Sequence, residues 1–426
     1  MTIPAWLCVG LAIPVLLLGE WLVRHIKPLS RFNIPAPVVG GLLLSLLVLG
    51  GNLSGVLAAR FETGVTAQWW TWLVTTESDW AKAPSKNVNL PFLTAFFTCI
   101  GLNASWSLVK RGSGWLVVFL LISTVLAVVQ NLVGVPLAKM LGVSPLLGIV
   151  CGSLTLTGGV GTALGFAPEL EKAGLAGAAV VGVAAATVGM VAGGLLGGPL
   201  GGWLIERRQL KPEVAAGVYF EAGQTGESGI LQDIANLFGH GKKWLWHLLV
   251  LLFCIKAGTW VSYLIQKSGI MFPVQIGAMI LGLVIRNVVD LSGGRWIKTE
   301  VVDTLASVTL GVFLAIAMMS LNLMELANAA VPMLVILTVQ IVVMALFARF
   351  LTFPLMGSSY DAAVMSAGQC GFGLGGTPNA VANMKTLVDR FGPSPRSFLI
   401  VPIVGGFLID FLNALNITVF INIFKP

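Results

Sequence analysis

Two runs of small and hydroxyl-bearing residues, Thr155-Leu-Thr-Gly-Gly-Val-Gly-Thr162 and Cys370-Gly-Phe-Gly-Leu-Gly-Gly-Thr377, are the best-equipped parts of this chain for binding chemistry. Glycines at this density let backbone N–H groups converge, and helices that start there present partial positive charge to an anion. Candidate solute contacts are Ser153, Thr155, Thr157, Gly158, Gly159, Gly161 and Thr162 around the first run. Gly373, Gly375, Gly376 and Thr377 are their counterparts in the second. The competing reading is that these glycines only let helices pack closely. Clustering of Gly with Thr in both runs favours a site, although the Thr155 hydroxyl could simply bond back to its own helix.

Asp410 lies within an apolar run, with Asn413 one turn further along the same helix face. A carboxylate at membrane depth costs about 3 kcal/mol on insertion scales, so it usually faces a cavity and serves a function. Carboxylate and amide oxygens suit a hard cation; the alternative is a structural hydrogen bond to a neighbouring helix. Asn103 and Asn322 occupy matching places in the two halves and are weaker candidates for the same role. Gln130, Asn131 and Gln340 read as amides that hold helices together, and Lys256 as a pairing or snorkelling cation. Nothing points to an enzyme. His25, His240 and His247 lie in or beside loops, so no serine or cysteine has an intramembrane base. No GxxxxGK[ST] loop is present for ATP. Cys8, Cys99, Cys151, Cys254 and Cys370 have unrelated spacings, which suggests neither disulfides nor a metal site.

The elements that position these residues are membrane spans. The chain is 56% hydrophobic and only 10% charged, against about 25% charged in a soluble protein. Spans of roughly 20 residues are expected at about 4–22, 35–51, 91–108, 115–137, 175–204, 244–265, 272–291, 303–323, 331–353 and 397–424. The glycine runs fall between them, at about 144–168 and 360–384. Non-helical backbone survives at membrane depth only where protein or a water-filled cavity covers it. Two such breaks in matching halves mark the midplane site of a carrier for a small polar solute.

Charge sidedness favours re-entrant hairpins over full crossings for both runs. Hairpins place most basic residues on one side, including Arg24, Lys27, Lys110, Arg111, Arg207, Arg208, Lys211, Lys242, Arg295 and Arg349. The +7 net charge is explained by this sidedness and needs no nucleic acid. The expected fold is all-α: ten transmembrane spans in two inverted five-span repeats, with both termini outside the cytoplasm. Residues 1–205 form the first repeat, 206–243 a cytoplasmic linker with Glu213, Glu221, Glu227 and Asp233, and 244–426 the second repeat. Gly142, Ser144, Gly158, Gly161 and Thr162 match Gly357, Ser359, Gly373, Gly376 and Thr377 without a gap. Pro37-Val38 with Gly41 matches Pro273-Val274 with Gly277. A long external loop holds Trp69, Trp70, Trp72 and Trp80, a composition suited to the membrane interface.

Resemblance to a known family rests on Ala367-Gly-Gln-Cys-Gly-Phe-Gly-Leu-Gly-Gly-Thr-Pro-Asn-Ala-Val-Ala-Asn-Met384, Arg390-Phe-Gly-Pro393 and Phe407-Leu-Ile-Asp-Phe-Leu-Asn-Ala-Leu415. Ile34-Pro-Ala-Pro-Val-Val-Gly-Gly41, Phe96-Phe-Thr-Cys-Ile-Gly-Leu-Asn103 and Gly152-Ser-Leu-Thr-Leu-Thr-Gly-Gly159 extend it over nearly the whole chain. The chain resembles the bacterial glutamate:sodium symporters. The resemblance implies import of L-glutamate, or a close dicarboxylic amino acid, across the bacterial inner membrane with co-transported Na+. It also implies a homodimer in which a hairpin-bearing part, assigned spans 3–5 and 8–10, moves against a scaffold as an elevator. Asp410, Asn413, Asn103 and Asn379 form the candidate sodium set. Val160 stands where the family often has His, which leaves a carrier of another dicarboxylate or organic anion as the alternative. A sodium/proton antiporter is a further alternative, with Asp410 as its titrating carboxylate.

Overall fold

The computed structural model describes residues 2–55, 60–82, 85–106, 113–212, 229–239, 243–294, 296–323 and 329–425. Glu213, Glu221, Glu227, Lys110, Arg111, Lys242, Arg295 and His240 lie outside these residues. The principal helices are α1 (Ala5–His25), α2 (Ala36–Leu53), α3 (Leu90–Asn103), α4 (Ser113–Met140), α5 (Pro145–Ile149), α6 (Gly159–Lys172), α7 (Ala178–Arg208) and α8 (Ile230–Gly239). They continue as α9 (Lys243–Gln266), α10 (Val274–Leu291), α11 (Thr299–Met319), α12 (Ala330–Phe347), α13 (Tyr360–Phe372), α14 (Thr377–Phe391), α15 (Pro395–Ile403) and α16 (Ile409–Phe424). Wider π-helical turns follow α5 at Val150–Leu154, follow α12 at Ala348–Thr352, and join α15 to α16 at Val404–Leu408. The described strands are two short pairs, Thr2–Ile3 beside Arg60–Phe61 and Gly64–Val65 beside Lys86–Asn87.

Among the described residues, nine helical segments are long and apolar enough to cross a membrane, so this is a polytopic membrane protein. The span expected at 91–108 is the shorter α3, of 14 residues. It stops at Asn103 because Asn287 takes over the backbone beyond it. The Asn287 amide donates to the Ala104 carbonyl at 3.0 Å and accepts from the Trp106 N–H at 2.7 Å.

The chain divides into two compact units. The first comprises Met1–Trp106 and Glu227–Met324, the second Ser107–Gly226 and Glu325–Pro426. Each draws the same kind of elements from both halves of the sequence. The first unit has α1, α2 and α3 with α9, α10 and α11; the second has a long helix, a broken pair and another long helix, twice over. Spans 3 and 8, expected beside the hairpins, are therefore α3 and α11 of the first unit. Their packing explains this. Gly101 of α3 lies against the Met279 backbone of α10, and Gly282 of α10 against that of Thr98. Asn103 also donates to Asp303 of α11 at 2.6 Å.

Small residues bring the other helices of the first unit together as well. Gly19 and Gly40 leave no room for a Cβ between α1 and α2, and Gly258 and Gly277 none between α9 and α10. Such close approach is how helices associate where lipid removes the hydrophobic drive. The sequence pairs Gly41 with Gly277, but the glycine that meets the preceding helix is Gly40; Gly41 faces Met318 of α11. Part of the presumed linker is the helix α8. It packs on α11 through Asp233, which accepts from Ser307 Oγ at 2.5 Å. Its first N–H, on Ile230, donates to Glu20 of α1 at 2.5 Å. The tryptophan loop docks on the same unit. Trp69 stacks on Trp6 at 5.3 Å, and Lys256 donates to the carbonyls of Trp72 and Thr75 at 2.6 and 2.9 Å.

Candidate functional site

Both glycine runs are helix breaks within the second unit, and both are entered in the same way. Gly142 and Gly357 take left-handed conformations, with φ of 72° and 92°. Ser144 and Ser359, two residues on, cap α5 and α13 by accepting from the N–H groups of Leu146 and Ala362, each at 3.3 Å. A serine cap of this kind satisfies one of the unpaired amides at a helix start. The exits differ. The first break ends at Gly159, with φ of 68°, whereas the second ends at Gly376, so Thr162 is the fourth residue of α6 while Thr377 is the first of α14.

The two breaks meet. A Cβ placed on Gly159 would lie 3.3 Å from the Gly375 carbonyl oxygen. Glycines along α7 allow the second break to lie close: Gly189 faces the Leu374 carbonyl, Gly193 those of Cys370 and Gly371, and Gly197 the Asn383 side chain. Gly375 in turn sits against the Met190 backbone.

Side-chain amides satisfy the backbone that these breaks release. Gln130 of α4 donates to the Gly373 carbonyl at 2.7 Å and accepts from Thr157 Oγ1 at 2.7 Å, so one buried side chain holds both breaks. Gln340 of α12 donates to the Gln130 carbonyl at 2.6 Å. Asn131 accepts from the Ser153 N–H at 2.9 Å, Asn413 donates to the Ser153 carbonyl at 2.9 Å, and Asn416 reaches Ser153 Oγ at 3.3 Å. Asn379 donates to the Met190 carbonyl at 2.8 Å, and Asn383 to that of Gly193 at 2.9 Å. An unsatisfied backbone group at membrane depth costs several kcal/mol, which gives Gln130, Asn131 and Asn413 their purpose. Gln340, Asn379 and Asn383 instead bond carbonyls inside the continuous helices α4 and α7 and so tie neighbouring helices together.

The candidate hydroxyls divide by what they bond. Thr155 donates to Val150 of its own helix at 2.6 Å, the local alternative raised by the sequence. Thr377 donates to the Gly405 carbonyl in the π-turn before α16 at 2.7 Å. Thr162, only 6% exposed, has no hydrogen-bond partner among the described residues and remains available as a donor. Glycines 158, 159 and 161 surround the start of α6. The N–H groups of Gly158 and Gly159 donate to the Ser153 and Thr155 carbonyls at 3.0 and 2.9 Å, so the amides of Val160 and Gly161 are the ones left as donors beside the Thr162 hydroxyl.

Asp410 is the second residue of α16, just after the π-turn, and is partly exposed. Its carboxylate has no hydrogen-bond or ion-pair partner among the described residues. One turn on, Asn413 uses its amide nitrogen on Ser153 and keeps its oxygen as a weak acceptor, 3.5 Å from Asn416. Asp410 and Asn413, one turn apart on the same helix, offer a carboxylate and an amide oxygen, donor types that suit a hard cation. Asn103 is not part of this group. It belongs to the first unit, where it pairs with Asp303 and its own Oδ1 is buried without a partner. Asn322, its counterpart in sequence, is exposed.

Two features escaped the sequence reading. Asn416 shares a face with Asn413 and Asp410, a signal present in their spacing of three residues each, and Asp303 looked like the edge of a span. Gln130 was read as an amide holding helices together, and it does so; which elements it joins was not readable.

The sodium/glutamate symporter family model matches residues 1–76 and 62–393. A sodium/glutamate symporter of Haemophilus influenzae is 36% identical over 415 residues, 95% of this chain and 94% of that protein. The Escherichia coli sodium/glutamate symporter is 35% identical over the same length, again 95% and 94% of the two chains. This chain belongs to the sodium/glutamate symporter family.

Proposed function

We propose that this protein imports L-glutamate across the bacterial inner membrane, driven by sodium. The observation that carries the reading is the meeting of two glycine-rich helix breaks at Gly159 and Gly375, in the same unit as the unpaired Asp410. The start of α6, with Thr162, supplies donors for carboxylates; Ser153, Gly158, Gly161, Gly373 and Gly376 shape the space. Asp410 and Asn413 hold sodium, with Asn379 positioning the second break from α7. Asn103 is assigned to packing of the first unit and leaves the sodium set. Within the membrane the two broken pairs are re-entrant hairpins of inverted five-span repeats, with α3 as the tenth crossing and both termini outside. The second unit, bearing both hairpins, is the moving part of an elevator, and the first unit is the scaffold of a homodimer.

The test is uptake of labelled L-glutamate by proteoliposomes with and without an inward sodium gradient. Sodium-dependent accumulation that unlabelled glutamate abolishes supports the reading. Equal uptake with sodium replaced by potassium would refute the coupling, and uptake of another dicarboxylate in preference to glutamate would refute the substrate.

A further inference from the structure

Away from the breaks, the second unit carries a basic pocket at the C-terminal end of α7. A cavity of about 140 Å³ is lined chiefly by Trp203, Arg207 and Arg208 of α7 and by Arg349, Phe350 and Phe353 of the segment that follows α12. The guanidinium groups of Arg207 and Arg349 lie 5.4 and 4.4 Å from the Trp203 ring centre. Arg349 is also 4.7 Å from the Phe350 ring, and Arg208 is 5.2 Å from that of Phe353. None of the three arginines has an acidic partner among the described residues. Glu206, the neighbouring carboxylate in sequence, is engaged elsewhere, by Arg390 at 2.6 Å.

Basic residues near the C-terminal end of a helix complement its dipole, which accounts for the presence of Arg207 and Arg208, and of Arg349 on its own segment. It does not account for the convergence of cations from two different membrane segments on one tryptophan. Aromatic faces hold these planar cations in place, and guanidinium forks match phosphate oxygens. The surroundings indicate where such a phosphate comes from. The pocket lies at the ends of two candidate membrane segments, Ala178–Arg208 and Ala330–Leu355. Leu346, Phe350 and Leu355 beside it are 50%, 60% and 53% exposed, so an apolar surface continues from the arginines along the helix. Phosphate at one end and acyl-sized apolar surface at the other describe a phospholipid. We propose that Arg207, Arg208 and Arg349 bind the phosphate of an anionic phospholipid, whose chains lie along α12. The assignment is independent of the transported solute.

The test is native mass spectrometry of the full-length protein titrated with phosphatidylglycerol or phosphatidylcholine. The wild type should retain phosphatidylglycerol preferentially. Each Arg→Gln change at 207, 208 or 349 should weaken that retention about five-fold, and all three together about a hundred-fold, with phosphatidylcholine unaffected. The triple Arg→Lys protein keeps the charge but loses the fork and the stacking, so its preference should fall between wild type and the triple Gln protein, which separates charge from folding. If the triple Gln protein fails to fold, the comparison of Arg349→Gln with Arg349→Lys carries the test. Retention of phosphatidylglycerol by the Gln variants equal to wild type would overturn the proposal. So would displacement of the lipid by an equal concentration of inorganic phosphate, which would make the pocket a site for the free ion.

Discussion

Replacing Gln130 by leucine tests whether one amide holds the two breaks together. The substitution roughly preserves volume but removes the bonds to Gly373 O and Thr157 Oγ1. Side-chain hydrogen bonds between membrane helices are worth about 0.6–1.7 kcal/mol each, so the loss should be about 1–3 kcal/mol. At roughly 2–4 °C per kcal/mol, the melting temperature should fall by about 2–12 °C. Thr124 provides the control, because its hydroxyl bonds only within α4, to Leu120 at 2.8 Å, and Thr124→Val should melt within about 2 °C of wild type. A double-mutant cycle with Thr157→Val isolates the shared bond and should give a coupling of about 0.6–1.7 kcal/mol. Sodium-driven glutamate uptake, measured on the same preparations, should drop in Gln130→Leu more than in Thr124→Val. If Gln130→Leu melts and transports like the wild type, or the cycle is additive, the amide does not couple the breaks and the reasoning fails.

Asp410→Asn, which keeps shape and an oxygen donor, should lower apparent sodium affinity about 30-fold or more, the usual cost of removing one member of a close charge pair. Glutamate affinity at saturating sodium should change far less; the reverse pattern in uptake kinetics would make Asp410 a substrate contact. Gly159→Val forces a β-branched residue to the φ of 68° and should abolish uptake while the protein still inserts, as read by membrane fractionation and transport. Asn103→Leu should destabilise the protein by about 1–2 kcal/mol in a thermal assay yet leave the sodium dependence of uptake unchanged. In a cysteine-depleted background, Lys139→Cys and Lys172→Cys should both react with an impermeant thiol reagent added outside. Labelling of only one of them would exclude the first hairpin.

Local chemistry was readable from the sequence where it is written in residue types. Gly142 with Ser144 and Gly357 with Ser359 are matched in sequence and form the same left-handed turn and serine cap in the structure. The breaks themselves were legible because eight-residue runs this rich in glycine make poor lipid-facing helix. Partnership between distant elements was not legible. Nothing near Asn103 announces Asp303, so α3 and α11 were both placed with the hairpins instead of in the first unit, where the structure pairs them. Gln130 looks like any amide in an apolar helix until Thr157 and Gly373 are seen on either side of it. The site gave the same lesson in reverse for Thr377, whose position suggested a free donor although its hydroxyl serves the Gly405 carbonyl, a partner 28 residues away that no spacing reveals. The Thr155 bond to Val150 is local, and it was the alternative its place in a helix had raised.

The π-turn at Val404–Leu408 sets the angular phase of the last membrane segment. An α-helix advances 100° per residue, and a π-turn inserts one residue beyond the α repeat. Everything after it is therefore turned by about 100° around the axis from where the stripe of α15 would continue. Asp410, Asn413 and Asn416 face their present direction because of that offset, not because of their distance from Pro395. Deleting a single residue from the turn would leave the composition and hydropathy of the segment almost unchanged, yet would swing the carboxylate and both amides to a different neighbour. The turn acts as an indexing step in the helix, so the cation site proposed here should tolerate changes in its lipid-facing residues far better than a change in chain length.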